Sequence, residues 1–235
     1  MISATALLTW QLVQPLHAKG CVDNDHDGLC DAAELELARR VAPVLKFPAR
    51  EALLDRMRTL WQVHDAGRGE VVISYVQTYV LDVSAENGNR VVSNHPGDTE
   101  EVRFWLHSRD GKTFKLVRAK YWHHHSGQEW APGDGHLESE RVGQDDHPVV
   151  WIQRHGHGSY MDRETCANDP EGDGHPCGDG FVAMAAIDSR ANAGEADAPT
   201  LDGAKMASLG FPGESAWEDK HNAFGVRGFC GGLPA

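Results

Sequence analysis

Asp23, Asp25, Asp27, Gly28, Asp31 and Glu34 stand at positions 1, 3, 5, 6, 9 and 12 of a twelve-residue run, the ligand pattern of an EF-hand calcium loop. Calcium takes about six to eight hard oxygens. The carboxylates at 1, 3 and 5, the backbone carbonyl of Leu29 and a bidentate Glu34 would supply them, with Asp31 acting at position 9, directly or through water. Gly28 allows the sharp turn that such a loop needs. Only an exiting helix is in view and the loop occurs once. The spacing therefore predicts a structural Ca2+ site that fastens the N-terminal segment, not a sensor that opens a groove. The alternative is an acidic, solvated linker.

A second constellation lies in HPGDTE, residues 95–100. In an extended strand residues i and i+2 share a face, so Asp98 and Glu100 can aim two carboxylates at one point. His95 can fold over them from the turn at Pro96-Gly97. Two carboxylates at one point repel, and a divalent cation resolves the repulsion. The mixed oxygen and nitrogen set suits Mg2+, Ca2+, Mn2+ or Zn2+. The alternative is an acidic strand start facing solvent, with His95 incidental.

Further histidines follow other strands: His123, His124 and His125 in YWHHHSG, and His155 and His157 in QRHGHGSY. They could gather at the same end of the fold, or be solvated loop residues. If the cation lowered the pKa of a bound water, His124, His125 and His155 would be the candidates for proton transfer. No zincin spacing, G-x-S-x-G elbow or paired Cys/His zinc motif occurs, so no reaction class is specified.

The elements that must position these groups change character along the chain. After the acidic loop, Leu37, Val41 and Leu45 recur at helical spacing, and Pro43 limits or kinks that helix. AREALLDRMRTLW, residues 49–61, reads as a second helix with Leu53, Leu54, Met57 and Trp61 on one side. EVVISYVQTYVLD is β-branched and aromatic on both faces, as in a strand covered on each side. EVRFWLH alternates, and TFKLVRAKYW follows it after Asp110-Gly111, a hairpin signal. HPVVWIQ and FVAMAAI read as further short strands, and residues 194–215 as irregular. Strands separated by turns, with helices confined to the N-terminal flank, predict a mainly β protein, an antiparallel β-sandwich. The expected organisation is a signal peptide over residues 1–18, a calcium-loop and helix segment over 19–46, and a β-sandwich domain over 47–235.

Composition narrows the function classes. The 235 residues are 40% hydrophobic, ample for a packed core, and carry a formal net charge of −13. That surplus, with no basic stripe, excludes a nucleic-acid backbone as partner and favours bound cations. The opening MISATALLTWQLVQPLHAKG has an apolar run and a small residue, Ala18, ahead of a polar switch, although it lacks a basic start. It reads as a signal peptide; the alternative is an apolar N-terminal strand or helix of the folded domain. No later segment approaches the roughly 20 apolar residues of a membrane-spanning helix. Five cysteines fit a secreted or periplasmic location. Cys21 and Cys30 bracket one acidic loop and Cys166 and Cys177 another, which predicts two local disulfides. Cys230 could replace a member of either pair. Asn168, Asp169, Glu171, Asp173 and Asp179, between and beside the second pair, fit no EF-hand spacing and read as a disulfide-closed surface loop near the site's rim. Met57, Trp61, Trp105, Trp122 and Trp151 read as core, and Trp130 as a candidate exposed aromatic.

The order HPGDTEEVRFWL, YWHHHSGQEW, HPVVWIQRHGHGSY resembles the necrosis-inducing-protein-like superfamily, especially its vacuolar-protein-sorting-like branch, in which an acidic loop also precedes LARRVAPVLKF-type sequence. The resemblance spans roughly residues 23 to 162, with weaker similarity in AFGVRGF. Plant-toxic members read Gly-His-Arg-His-Asp-Trp-Glu where this chain has NHPGDTE. His95, Asp98 and Glu100 match, whereas Asn94, Pro96, Gly97 and Thr99 depart, so toxin activity does not carry over. The resemblance implies a β-sandwich related to cytolysins and lectins. It also implies a divalent cation held by the motif's Asp, Glu and His together with an upstream aspartate, for which Asp82 is best placed, and a downstream histidine, His157. Toxin-like members use that metal to engage glycosylated sphingolipid head groups at a membrane surface.

Three readings stand at this point. The first is a secreted, metal-dependent binding protein that recognises glycan or lipid head groups and is membrane-active by extension. The second is a metal-dependent hydrolase of ester or phosphodiester substrates using the same Asp/Glu/His site. The third is a calcium-stabilised domain with no second site.

Overall fold

The structure is a computed structural model and describes residues 8–24, 26–49, 57–83, 86–87, 90–91, 94–123, 126–135, 137–154, 157–169, 177–178, 180–185 and 187. Within strands, the side chains of 80–83, 86–87, 90–91, 94–99, 126 and 181 lie outside that description. The described chain is mainly β. Its first sheet is built from β1 (Thr9–Gln11), β3 (Arg58–Gly67), β4 (Glu70–Val83), β7 (Asn94–Ser108), β8 (Thr113–His123) and β9 (Ser126–Trp130). The order is β1-β8-β7-β4-β3, with β9 also on β8. The second contains β2 (Val44–Phe47), β10 (Ser139–Val142), β11 (Asp145–Ile152), β12 (Ser159–Tyr160) and β13 (Phe181–Met184). Its order is β10-β11-β2-β13, with β12 on β11. A small ribbon pairs β5 (Glu86–Asn87) with β6 (Arg90–Val91), and two helices, α1 (Asp31–Val41) and α2 (Arg163–Asn168), complete the set. Every pairing is antiparallel except β2 with β11, which is parallel.

The central strand shows why the sequence reads as it does. Each residue from Val71 to Tyr79 is buried. Ile73 and Tyr75 face the main core with Phe104 and Leu106 of β7, while Val72 and Val76 are buried on the alternate face. A strand covered on both sides has no polar face to offer, hence its unbroken β-branched run. The Asp110-Gly111 hairpin is also present. Gly111 takes a φ of +69°, and the Asp110 carboxylate accepts from the amides of Lys112 and Thr113 and from the hydroxyls of Thr113 and Ser108. These bonds hold its pKa far below the usual carboxylate range, the Thr113 amide contributing most.

Helix α1 places Leu37, Ala38 and Val41 in the core, with Asp31 and Glu34 in its first turn and Arg39 and Arg40 in its last, both favourable to the helix dipole. It stops at Val41, because Pro43 disfavours helical geometry at Ala42. Leu45, expected on the same helical face, is instead in β2. The expected second helix is corrected more sharply: residues 50–56 lie outside the described residues, and Arg58 to Trp61 belong to β3. Thr59, Leu60 and Trp61 pair in register with Gln77, Val76 and Tyr75 of β4. That pairing with a central strand outweighs local helical spacing.

The segment read as a signal peptide is also built into the folded chain. β1 pairs with the start of β8, Trp10, Leu12 and Leu16 are buried in the main core, and the Trp10 indole N–H donates to the Asp146 carbonyl at 3.1 Å. The expected boundary at residues 46/47 falls inside β2, whose Leu45 and Phe47 join the same core as α1 and the first sheet. Both local disulfides form, Cys21–Cys30 and Cys166–Cys177; Cys230 lies outside the described residues. Trp61 is core. Trp105, Trp122 and Trp151 are half-buried beneath Arg118, Arg103 and Lys46 respectively. Trp130, expected as a candidate for exposure, is 3% exposed, its indole N–H donating to the Gly135 carbonyl. No helix among the described residues is long and apolar enough to cross a membrane.

Candidate functional site

Toward the start of β7 the core changes from apolar to polar. On the core-facing positions of β4 and β7, Ile73, Tyr75, Val102 and Phe104 give way to Gln77, Tyr79 and Glu100. Register sets Gln77 across from Glu100, Tyr79 across from Asp98, and Asp82 across from His95. Glu100 is 6% exposed and Gln77 fully buried. Among the described residues neither the oxygen nor the nitrogen of the Gln77 amide has a hydrogen-bond partner, a state that costs about 1–3 kcal/mol for a buried polar group. His157 comes from the other sheet's side. It is 3% exposed, its ring is stacked on Tyr79, and its backbone is in the left-handed region at φ +51°. For a non-glycine residue that conformation is held by its surroundings.

Of the expected set, the structure brings Glu100 and His157 to the same polar end, both beside the Gln77–Tyr79 segment. The side chains of Asp82, His95 and Asp98 lie outside the described residues. Strand alternation adds a condition on them: positions 98 and 100 fall on one face of β7, and position 95 with its partner 82 on the other. The turn expected at Pro96-Gly97 is absent: β7 is continuous from Asn94 to Ser108 and keeps one register with β4 on both sides of Gly97, so the two sets of positions stay on opposite faces of the strand. His124, His125 and His155 lie outside the described residues.

A neighbouring cluster was not legible as one in the sequence. His123 Nδ1 is 3.1 Å from Asp169 Oδ2, the Tyr160 hydroxyl donates to the same oxygen, and the His123 ring stacks on Tyr160 with centroids 4.6 Å apart. The Asp169 side chain is 5% exposed. Gly158 permits this packing, since a Cβ there would lie 2.9 Å from that of His123 and 3.0 Å from the Tyr160 hydroxyl. A buried carboxylate bonded to an imidazole orients the ring and supports proton transfer. The available signal was Asp169 inside the Cys166–Cys177 segment, but its partners are 46 and 9 residues away. Behind the sheet, Glu101 and Arg103 form a largely buried ion pair, with the Arg103 guanidinium over the Trp122 ring. Burial pushes the Glu101 carboxyl up, and Arg103 opposes it.

In the acidic loop the turn expected at Gly28 is present. Gly28 has a φ of +90°. The Gly28 amide donates to Asp23 at 3.1 Å and the Leu29 amide to Asp27 at 2.8 Å. Asp31 accepts from Asn24, and α1 begins at Asp31. The second oxygen of Asp23 is buried without a hydrogen bond, and Glu34 is 1% exposed. Burial, then the charges of Asp23 and Asp31, push the Asp27 carboxyl up, against the opposing Leu29 amide bond. A donor set of this kind fits a hard cation. Among the described residues, however, no three His, Cys, Asp or Glu side chains gather closely enough to hold a metal ion. Asp25 lies outside them.

No protein-family model matches the chain, and no curated protein matches it. Among solved structures it is similar to one described as "NLPPya in complex with glucosamine", at 14% identity over 67% of this chain and 73% of that one, with a TM-score of 0.39. It is also similar to one described as "Toxin fold for microbial attack and plant defense", at 14% identity over 67% of this chain and 77% of that one, TM-score 0.34. At those scores the likeness by itself establishes neither fold nor function.

Proposed function

We propose that the protein is a secreted, metal-dependent binding protein that recognises glycan or lipid head groups through a divalent cation at the polar end of its core. The observation that carries this reading is Glu100, a carboxylate 6% exposed, in register with a buried Gln77 amide that has no hydrogen-bond partner. A buried amide with no partner among the described residues, set across from a core-facing carboxylate, is a costly arrangement unless a ligand shares it. Asp98 and His157 are assigned as the nearest oxygen and nitrogen donors, and His95 and Asp82, a register pair further along β7 and β4, as the outer members of the set. A cation would also offset the surface charge of an acidic protein, net −13, where it meets an anionic head group. The acidic loop at Asp23, Asp25, Asp27, Leu29, Asp31 and Glu34 is assigned a separate, structural Ca2+.

Elemental analysis of purified protein tests the number and kind of metals: two divalent ions per chain support the reading, one supports the calcium-stabilised domain without a second site. Binding to a glycan array and to liposomes should require the second ion and vanish in the double variant Asp98→Ala, Glu100→Ala. Persistent binding in that variant refutes the assignment.

The Asp169–His123–Tyr160 cluster favours a second reading, a metal-dependent hydrolase of ester or phosphodiester bonds, because it offers an oriented base within the same end of the fold. Turnover of an ester and phosphodiester panel with added Mn2+ or Zn2+, lost in Asp169→Asn, would move the assignment to this class.

A further inference from the structure

A cleft of about 220 Å³ opens at the opposite end of the first sheet, lined by His17, Asp65, Arg68, Gly69, Ser108 and Arg109 among others. It lies where the β3–β4 turn meets the β7–β8 turn. From Glu100 to Ser108 β7 runs eight residues, about 26 Å at strand rise, so this cleft is separate from the cation site.

Three features set it apart from an ordinary charged surface. First, Arg68 occupies the first central position of a two-residue hairpin turn at φ +56°, followed by Gly69 at +78°. Such turns favour Asn, Asp or Gly at that position, because a side chain in the left-handed region is strained. An arginine there costs stability that asparagine would not. Second, the turn is locked in place. The Ser108 amide donates to the Gly69 carbonyl at 2.8 Å, and a Cβ on Gly69 would stand 2.3 Å from the Ser108 carbonyl oxygen, so only glycine fits. The residue after Ser108 is Arg109, and the backbone contact thereby brings the chain at Arg68 and at Arg109 to the same cleft. Third, among the described residues neither arginine side chain has a hydrogen bond or ion pair. The nearby carboxylates, Asp65 in the cleft wall and Asp110 in the adjoining turn, bond other groups. Asp65 accepts from the Gly67 amide and faces His17 Nε2 at 3.6 Å. Asp110 is spent on its own turn. In a chain with 22 Lys and Arg against 35 Asp and Glu, two guanidinium groups that line one cleft concentrate positive charge there, and an anion between them would be favoured.

We propose that this cleft binds a phosphate monoester between the guanidinium groups of Arg68 and Arg109. Two planar forks on a fixed backbone suit a tetrahedral oxyanion, and charge-assisted bonds of this kind are the strong ones. The cleft has room for a sugar-sized group behind the phosphate, with Asp65 and Ser108 as the oxygen-bearing wall. The phosphate can come from a soluble ester or from a lipid head group.

Calorimetric titration at low ionic strength tests it, using the chain from Met1 with intact mass confirming that His17 is retained. Inorganic phosphate and glucose 6-phosphate are expected to bind saturably in the millimolar range or tighter, and glucose not at all. Arg68→Asn and Arg109→Gln should each weaken glucose 6-phosphate at least tenfold. Arg68→Asn is the informative variant: asparagine suits the turn, so the melting temperature should hold or rise while binding falls, which no loss of folding can imitate. Cosedimentation with phosphatidic acid vesicles against phosphatidylcholine vesicles separates the sources. Capture that depends on both arginines assigns the lipid head group, and titration without capture assigns the soluble ester. Lack of saturable binding to phosphate and to phosphatidic acid vesicles, or undiminished binding by the double variant, overturns the proposal.

Discussion

The imidazole of His157 lies flat on the ring of Tyr79, with centroids 3.8 Å apart and planes within 4° of parallel. This contact joins the residue carrying the left-handed backbone to the strand position across from Asp98. The two sheets are thereby tied at the polar end of the core. Asparagine tolerates the same backbone conformation but has no ring to stack. His157→Asn should therefore cost about 1 kcal/mol of stability, the worth of one aromatic stack. It should also lower divalent-cation affinity at that end at least tenfold. Denaturant unfolding and cation titration read the two effects separately. A variant that loses stability but keeps its cation affinity would remove His157 from the ligand set.

The acidic loop makes a different prediction. Its carboxylates stand close enough that Asp23 and Asp31 push the Asp27 carboxyl up, after burial itself. A cation that binds only the folded loop adds stability by mass action. Excess EGTA should lower the melting temperature by several degrees, and Glu34→Gln should do the same with or without EGTA. A melting curve unmoved by EGTA would leave the loop as a disulfide-closed linker, held by Cys21–Cys30 alone.

The sequence revealed those features that depend on neighbours along the chain. Gly28 at the loop's turn, the Asp110-Gly111 hairpin, Pro43 ending α1 and the two-sided burial of β4 are all local signals, and all are present. What was hidden depends on partners far away. Arg58 to Trp61 carry helical spacing, yet β4 captures them as a strand. Trp130 sits in a Gly/Pro-rich surrounding, yet the fold buries it and supplies the Gly135 carbonyl. Asp169 reads as one more acidic loop residue until the fold brings His123 and Tyr160 to it. The i, i+2 spacing of Asp98 and Glu100 was readable, but the alternation that assigns His95 to the other face needed the register across to Asp82.

The N-terminal segment poses a sharp choice. Trp10 is 1% exposed, and Leu12 and Leu16 are buried with it. Trp10→Ala should therefore destabilise the chain by about 3–5 kcal/mol, as large-to-small core changes do. A chain starting at Lys19 should lose more, since it also lacks the β1 pairing with β8. Exported protein whose intact mass shows residues 9–16 retained would agree with the fold. Stable mature protein lacking them would show that β8 does without this strand.

Asp110 supplies a pH signature for the hairpin that holds Arg109. Its four hydrogen bonds favour the charged form, so its pKa in the folded chain lies below the ordinary 3.8. For a carboxylate depressed in this way, the unfolded chain takes up the proton first as pH falls. The stabilisation is then complete above 3.8 and lost as pH drops through the lower folded value. Asp110→Asn should lower the melting temperature modestly near neutrality, because the group is exposed and screened by salt. The gap between wild type and variant should narrow steadily once the pH passes below 3.8. A gap that stays constant through that range would mean that the side-chain geometry, and not its charge, shapes the turn.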